Sequence, residues 1–392
     1  RYSVAMLLLS VSFAFEFDCT KGSCWLSHYN PRKDGTFMFK YVPQNMYITI
    51  RELESSAIDY ELLDRFPGTE LMIAQSPDVK RLQISRNSRL TNLEIMETGI
   101  VSIECDLNEN LRDLKILSSS LETISRSISN LKNLENLTIQ SCPLRELDLG
   151  VFCGLKFLKC LYFANSNINS IVSRVKNASC RLAITSIILR ANVIRVLNLE
   201  LFNRCDKLKK MEFKKNKIEL VAGRFANGGI RNIDLTWNLI SQLNLCQWET
   251  PSLVELTLNM NFLSALPACI DKIKSLETID VSFNNVTHFN SSWLEPMENL
   301  IKFDLSYNKI ASAIFHSFPK KLKNLKLTES GLKLVDLPNT LVSKSEASFR
   351  QSTEVVEWRV FIAQAVVCLA TGVPTVRWLP QPSLWHHVLN MD

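Results

Sequence analysis

Leu253 to Leu263 reads Leu-Val-Glu-Leu-Thr-Leu-Asn-Met-Asn-Phe-Leu, the spacing L-x-x-L-x-L-x-x-N-x-L. No other feature constrains the fold as much. Alternation on a short strand turns Leu256 and Leu258 inward and leaves Glu255, Thr257 and Asn259 facing outward. Asn261 falls where the chain bends away, and its amide can bond backbone groups left unpaired by the bend. Leucine is common, so one copy means little; a series at a steady period decides the matter.

The series is present. The first inward residue of each strand is Leu114, Leu137, Leu161, Ile187, Met211, Ile233, Leu256, Ile279, Phe303 and Leu325, with weaker copies at Leu93, Leu71 and Ile48. From Ile48 to Leu325 is 277 residues over twelve steps, a mean of about 23, inside the range of about 20–29 for leucine-rich repeats. Asn192, Asn216, Asn238, Asn261, Asn284 and Asn308 hold the turn position, and Cys142 takes it once. Ser76, Thr98, Ser119, Ser166 and Ser330 fill it elsewhere, where a hydroxyl can make some of the same bonds. The expected fold is an α/β solenoid, a leucine-rich repeat horseshoe of about thirteen repeats. It has a parallel concave β-sheet and an irregular or short-helical convex side.

A chain of 392 residues would ordinarily suggest two or three compact domains, but the repeat replaces that estimate with one elongated unit. Its 46% hydrophobic and 21% charged residues exclude wholesale disorder. The net charge of +6 leans mildly towards anionic partners. The divisions read as residues 1–14, a signal peptide with an incomplete start; 15–45, a cysteine-containing cap; 46–335, the solenoid; and 336–392, a tail of unassigned role. Arg1 precedes the apolar run Val4 to Phe15, and Ser12-Phe13-Ala14 has the small-x-small form of a cleavage site. The alternative for this run is a buried first strand.

Eleven cysteines suit an oxidising compartment. Cys19 and Cys24 sit where a secreted solenoid needs a cap over its first repeat. Cys246 and Cys269 each lie 13 residues after their own strand starts, so they stack in adjacent repeats within disulfide reach. Cys180 and Cys205 stand seven and six residues before the next strand, a third adjacent pair. Reduced, buried cysteine is the alternative in each case. Sequons at Asn136, Asn177, Asn285 and Asn290 agree with export.

A second apolar position recurs nine residues before the next strand start, at Ile128, Phe152, Phe202, Ile270 and Leu294, with Phe225 and Trp248 one residue off. These are expected to stack as a spine under the convex side. A unit of about 23–24 residues with an Asn turn and a Phe spine resembles the extracellular repeats of Toll-like receptors and their relatives. The export signal and the Cys19-x4-Cys24 opening bring it nearest to insect leucine-rich repeat proteins, including the mosquito leucine-rich repeat immune proteins. The likeness covers about 300 of 392 residues and implies a secreted recognition protein. Two departures stand out. No four-cysteine C-terminal cap follows Leu332, and no sustained heptad follows Ser343. Disulfide-linked assembly through a coiled coil is therefore not implied.

In the tail, Val360 to Val373 gives 14 mostly apolar residues, short of the roughly 20 needed to span a bilayer. A capping helix, an anchor and non-native sequence all remain open for it.

No catalytic constellation is visible, and none of the five histidines has a partner at metal-ligand spacing. The expectation is no enzyme, no cofactor and no metal. Binding would fall to the concave face, whose middle outward column is Glu212, Asp234, Thr257, Asp280, Asp304 and Lys326. The next column is Lys214, Thr236, Asn259, Ser282, Ser306 and Thr328. These carboxylates and hydroxyls suit a basic or hydroxyl-bearing ligand, an extracellular protein or a glycan; equally, they are the ordinary solvated form of such strands. Lysine clusters at Lys207 to Lys217 and Lys320 to Lys326 could meet anionic glycans or lipid headgroups, with membrane contact through the tail also open. Cys160, Tyr162 and Ile188 make the middle of the concave face less polar. Nucleic acid is not expected.

Overall fold

A computed structural model describes residues 15–20, 22–41, 47–175 and 180–331, and the backbone of 334–336. The signal-like segment 1–14, the sequon at Asn177 and the tail with Val360 to Val373 lie outside the described residues.

The repeat builds one 15-stranded sheet, running from Glu16–Thr20 to Asn324–Lys326. Its first two strands, Glu16–Thr20 and Ser23–Ser27, form an antiparallel hairpin in which Cys19 faces Cys24. Ser23–Ser27 then pairs in parallel with Tyr47–Arg51, and every later step is parallel. The cap thus covers the first repeat by extending its sheet. Register follows the inward residues throughout: Ile48 opposes Leu71, Leu71 opposes Leu93, and Leu256 opposes Ile279. Slipping any strand by one residue would turn its apolar pair to solvent, so the pattern locks the register.

Each asparagine turn is closed by the expected side chain, whereas the Ser330 hydroxyl is buried without a hydrogen-bond partner among the described residues. Asn261 Nδ2 donates to the carbonyls of Leu235 and Leu258, both at 3.0 Å, and its Oδ1 accepts from the Ile240 amide at 3.0 Å. The other asparagines repeat this, as where Asn284 donates to Leu258 and Val281 and accepts from Leu263. Where serine substitutes, the ladder is thinner: Ser76 Oγ accepts from Leu53 and donates to Ala74. Each asparagine therefore ties its own repeat to the one before it, satisfying backbone groups that water cannot reach.

The residue before each turn position is left-handed, with φ between 47° and 57° from Glu52 through Glu329. None of these residues is glycine, and each costs about 1–2 kcal/mol. The conformation lets the amide keep pairing across repeats as the chain leaves the strand; Trp237 N, for example, donates to Asn259 O at 2.9 Å.

The spine is buried as expected. Phe152, Phe202, Phe225 and Leu294 are at most 1% exposed, and Phe225 meets Trp248 edge-on with ring centroids 5.6 Å apart. The convex side is more regular than expected. Short 3-10 turns such as Leu149–Phe152 and Leu199–Arg204 alternate with two- and three-stranded parallel patches, among them Val196–Asn198 with Leu220–Ala222. The steady period that aligns the concave strands also aligns the segments behind them.

Cys19–Cys24 and Cys246–Cys269 are bonded, with Cα atoms 4.1 and 5.0 Å apart. The third expected pair is different: Cys180 bonds Cys153, not Cys205. The local pattern explains why. Phe152-Cys-Gly-Leu155 and Phe202-Asn-Arg-Cys205 are the same turn, closed by Leu155 N to Phe152 O and by Cys205 N to Phe202 O. Cys205 therefore occupies the leucine slot, fully buried, whereas Cys153 occupies a half-buried slot beside its phenylalanine. Desolvation pushes the Cys205 thiol up to about 12.

Candidate binding surface

The middle outward column stands in register, with Glu212, Asp234, Thr257, Asp280, Asp304 and Lys326 opposite one another in turn. Upstream it continues through Ile188, Tyr162, Thr138, Lys115 and Glu94. All are half-buried or exposed. Asp234, Asp280 and Asp304 each use Oδ1 to accept the amide two residues on, from Thr236, Ser282 and Ser306 at 2.8–2.9 Å. This bond fixes the carboxylates before any ligand arrives. Glu212 pairs with Lys210 at 3.1 Å, and Asp304 with Lys326 at 3.5 Å. Burial raises the Asp280 carboxyl above its ordinary value, opposed by its bonds from Ser282 and reinforced by Asp304.

The next column departs from expectation. Lys214 and Asn259 are half-buried, but Thr236, Ser282 and Ser306 are only 5–6% exposed. Thr236 Oγ1 donates to Asn259 Oδ1 at 2.6 Å, Ser282 Oγ to Asp280, and Thr328 Oγ1 to Ser306 Oγ. Turning into the left-handed bend draws these hydroxyls under the rim, so they brace the surface and do not offer it to a ligand.

Upstream, charges answer one another. Lys115 meets Glu94 at 3.1 Å. Glu135 lies between Lys159 and Arg112, and the hydrogen bond from Lys159 holds its carboxyl below the usual range. Arg190 covers the Tyr162 ring at 5.3 Å, so the less polar middle of the face is partly screened. Asn136 stands on the concave sheet itself and donates to Asp113, while Asn290 caps a 3-10 turn through Oδ1. Asn285 is half-buried just after a turn asparagine. Among the described residues, no group of His, Cys, Asp and Glu is arranged to hold a metal.

One feature escaped the sequence reading. Trp237, Phe283 and Tyr307 occupy the left-handed rim position in their repeats, and Leu239 and Phe262 stand one residue beyond their turn asparagines. All five are 40–51% exposed. The signal was the residue on either side of each turn asparagine, but strand alternation does not say where a side chain outside the strand points.

No family model matches the chain, and no curated protein matches it. Solved structures do. A leucine-rich repeat protein of Leptospira interrogans is similar at 16% identity and a TM-score of 0.55, over 84% of this chain and 88% of that one. A TLR13–ssRNA13 complex (19%, 0.48) covers 75% of this chain, which spans 53% of that chain. An LRIM1/APL1C complex (14%, 0.48) covers 91% and 79%. The first likeness shows a shared leucine-rich repeat solenoid fold; at such identity it speaks to fold alone.

Proposed function

We propose that this chain is an extracellular leucine-rich repeat binding protein that engages a protein ligand through its concave face, with innate immune recognition in an insect as its role. The carrying observation is the in-register outward column, fixed by ladder bonds and partly open to solvent from Glu94 to Lys326. Such a surface binds by many weak, preorganised contacts, since its side chains are already held in place. It needs neither covalent chemistry nor a cofactor. Three disulfides favour an oxidising compartment, and the sequon asparagines Asn285 and Asn290 are both partly accessible. The immune role rests on the sequence resemblance.

The test is expression in insect cells with a start codon ahead of Arg1, followed by separation of medium from membranes and a glycosidase shift. Glycosylated protein in the medium is the expected result. Retention in a carbonate-resistant membrane fraction would support a tethered receptor or adhesion ectodomain anchored by Val360 to Val373. Unglycosylated cytosolic protein would sink the export reading.

A further inference from the structure

We propose that the C-terminal rim of the repeats spanning 232–308 docks an extended, arginine- or lysine-bearing segment of a partner protein. The inference rests on the protein-binding reading above and adds a location and a partner chemistry. Trp237, Met260, Phe283 and Tyr307 follow one another in four adjacent repeats, all left-handed, each amide donating to the next repeat at 2.8–3.0 Å. Phe283 and Tyr307 stack with centroids 4.2 Å apart, and Leu239 and Phe262 are exposed two residues beyond Trp237 and Met260.

The fold does not need rings there. Ser118, Ser141 and Ala191 fill the same slot in earlier repeats with the same backbone. An exposed stacked ring pair, with Trp237 exposed at the same bend position two repeats before Phe283, marks an interaction surface.

Charge selects the occupant. Three residues before each of Trp237, Phe283 and Tyr307 stands a carboxylate: Asp234, Asp280 and Asp304. Among the described residues, neither Asp234 nor Asp280 has an ion-pair partner. The chain's own lysines display the chemistry at both ends, with Lys215 Nζ 4.9 Å over the Trp237 ring and Lys326 on Asp304. A guanidinium or ammonium stem laid across rings, its charge towards carboxylates, would repeat that arrangement in between. Lys214, Lys215 and Lys217, at the strand end of the preceding repeat, repel a longer basic segment. The window is four repeats, about 14 Å at strand spacing, or four to five extended residues.

The test uses the full chain and a fluorescein-labelled hexapeptide alternating arginine and glycine, read by anisotropy at low and physiological salt. A glutamate–glycine hexapeptide and an N-acetylglucosamine oligomer serve as alternative probes. The arginine peptide should bind, weaken with salt, and lose tenfold or more in affinity with Phe283→Ser plus Tyr307→Ser. Asp280→Asn should cost threefold or more, and Val196→Ser, exposed outside the concave sheet, should cost nothing. Absent arginine-peptide binding, or binding that ignores the rim variants, overturns the proposal, as does preference for the oligosaccharide or the glutamate peptide. Binding that ignores the rim but is lost in Tyr162→Ser or Ile188→Ser overturns the rim site while leaving the concave-face reading intact. Unchanged circular dichroism of each variant separates loss of contact from loss of fold.

Discussion

Cys153 and Cys180 are joined across neighbouring repeats with Cα atoms 5.6 Å apart, and their bond leaves Cys205 as a fully buried thiol. Four free cysteines are described: Cys105, Cys142 and Cys205 buried, and Cys160 half-buried on the concave sheet. Desolvation pushes Cys105 and Cys205 up to about 12 and raises Cys142 and Cys160 as well. Thiolate, the reactive form, is therefore scarce at all four, and access separates Cys160 from the rest. Native protein alkylated at pH 8 and mapped by mass spectrometry should carry label at Cys160 and almost none at Cys105, Cys142 or Cys205. Denaturation without reductant should add all three. Label at Cys153 with Cys205 protected would mean that the pairing is wrong.

Asn261→Ala should be among the costliest polar substitutions. It strands the carbonyls of Leu235 and Leu258 and the amide of Ile240 in the interior. Leaving buried groups unpaired costs about 1–3 kcal/mol each, so a total of about 3–5 kcal/mol is expected. Urea unfolding should report it, with hydrogen exchange accelerated at Ile240 ahead of distant repeats because coupling in a solenoid is between neighbours.

Removing a spine ring should act through packing. Phe225 is fully buried against Trp248, and Phe225→Ala should cost about 3–5 kcal/mol. Phe262→Ala, on an exposed ring, should stay within about 0.5 kcal/mol. Equal losses in denaturant unfolding would refute the division between spine and rim.

Asp280 carries a pH dependence of known sign. Its native carboxyl is raised above 3.8, chiefly by burial, so the folded state holds that proton more tightly than the unfolded chain. Ionisation therefore costs stability: the cost is absent below the unfolded value and appears as pH rises through the folded one. Asp280→Asn keeps an oxygen for the Ser282 amide and removes the charge. It should melt higher than the parent at pH 7, with the two melting curves converging below pH 3.8.

The concave sheet was legible because its signal is redundant. Thirteen copies of one inward pair set strand, register and core together, and the turn asparagines announced their own bonds. Cys180 was misassigned because stacking in adjacent repeats is necessary for a disulfide but does not tell which way a side chain faces. That Cys205 fills the slot of Leu155 could be read from Phe-x-x-Leu against Phe-x-x-Cys, but only once the turn at Leu199–Arg204 is known to be the same turn. The hydroxyls of Thr236, Ser282 and Ser306 looked available for a similar reason: alternation holds within a strand and fails at the left-handed residue that ends it.

By itself, the sequence determined what is periodic: the solenoid, its sheet, its apolar spine and its turn ladder. Each of these follows from repeated local spacing. Tertiary structure alone decided what depends on neighbours in other repeats: the partner of Cys180, the burial of the hydroxyl column, and the gathering of Trp237, Phe283 and Tyr307 on one rim. Residues more than twenty positions apart become neighbours only after the repeats stack, and local spacing carries no information about the direction of their side chains.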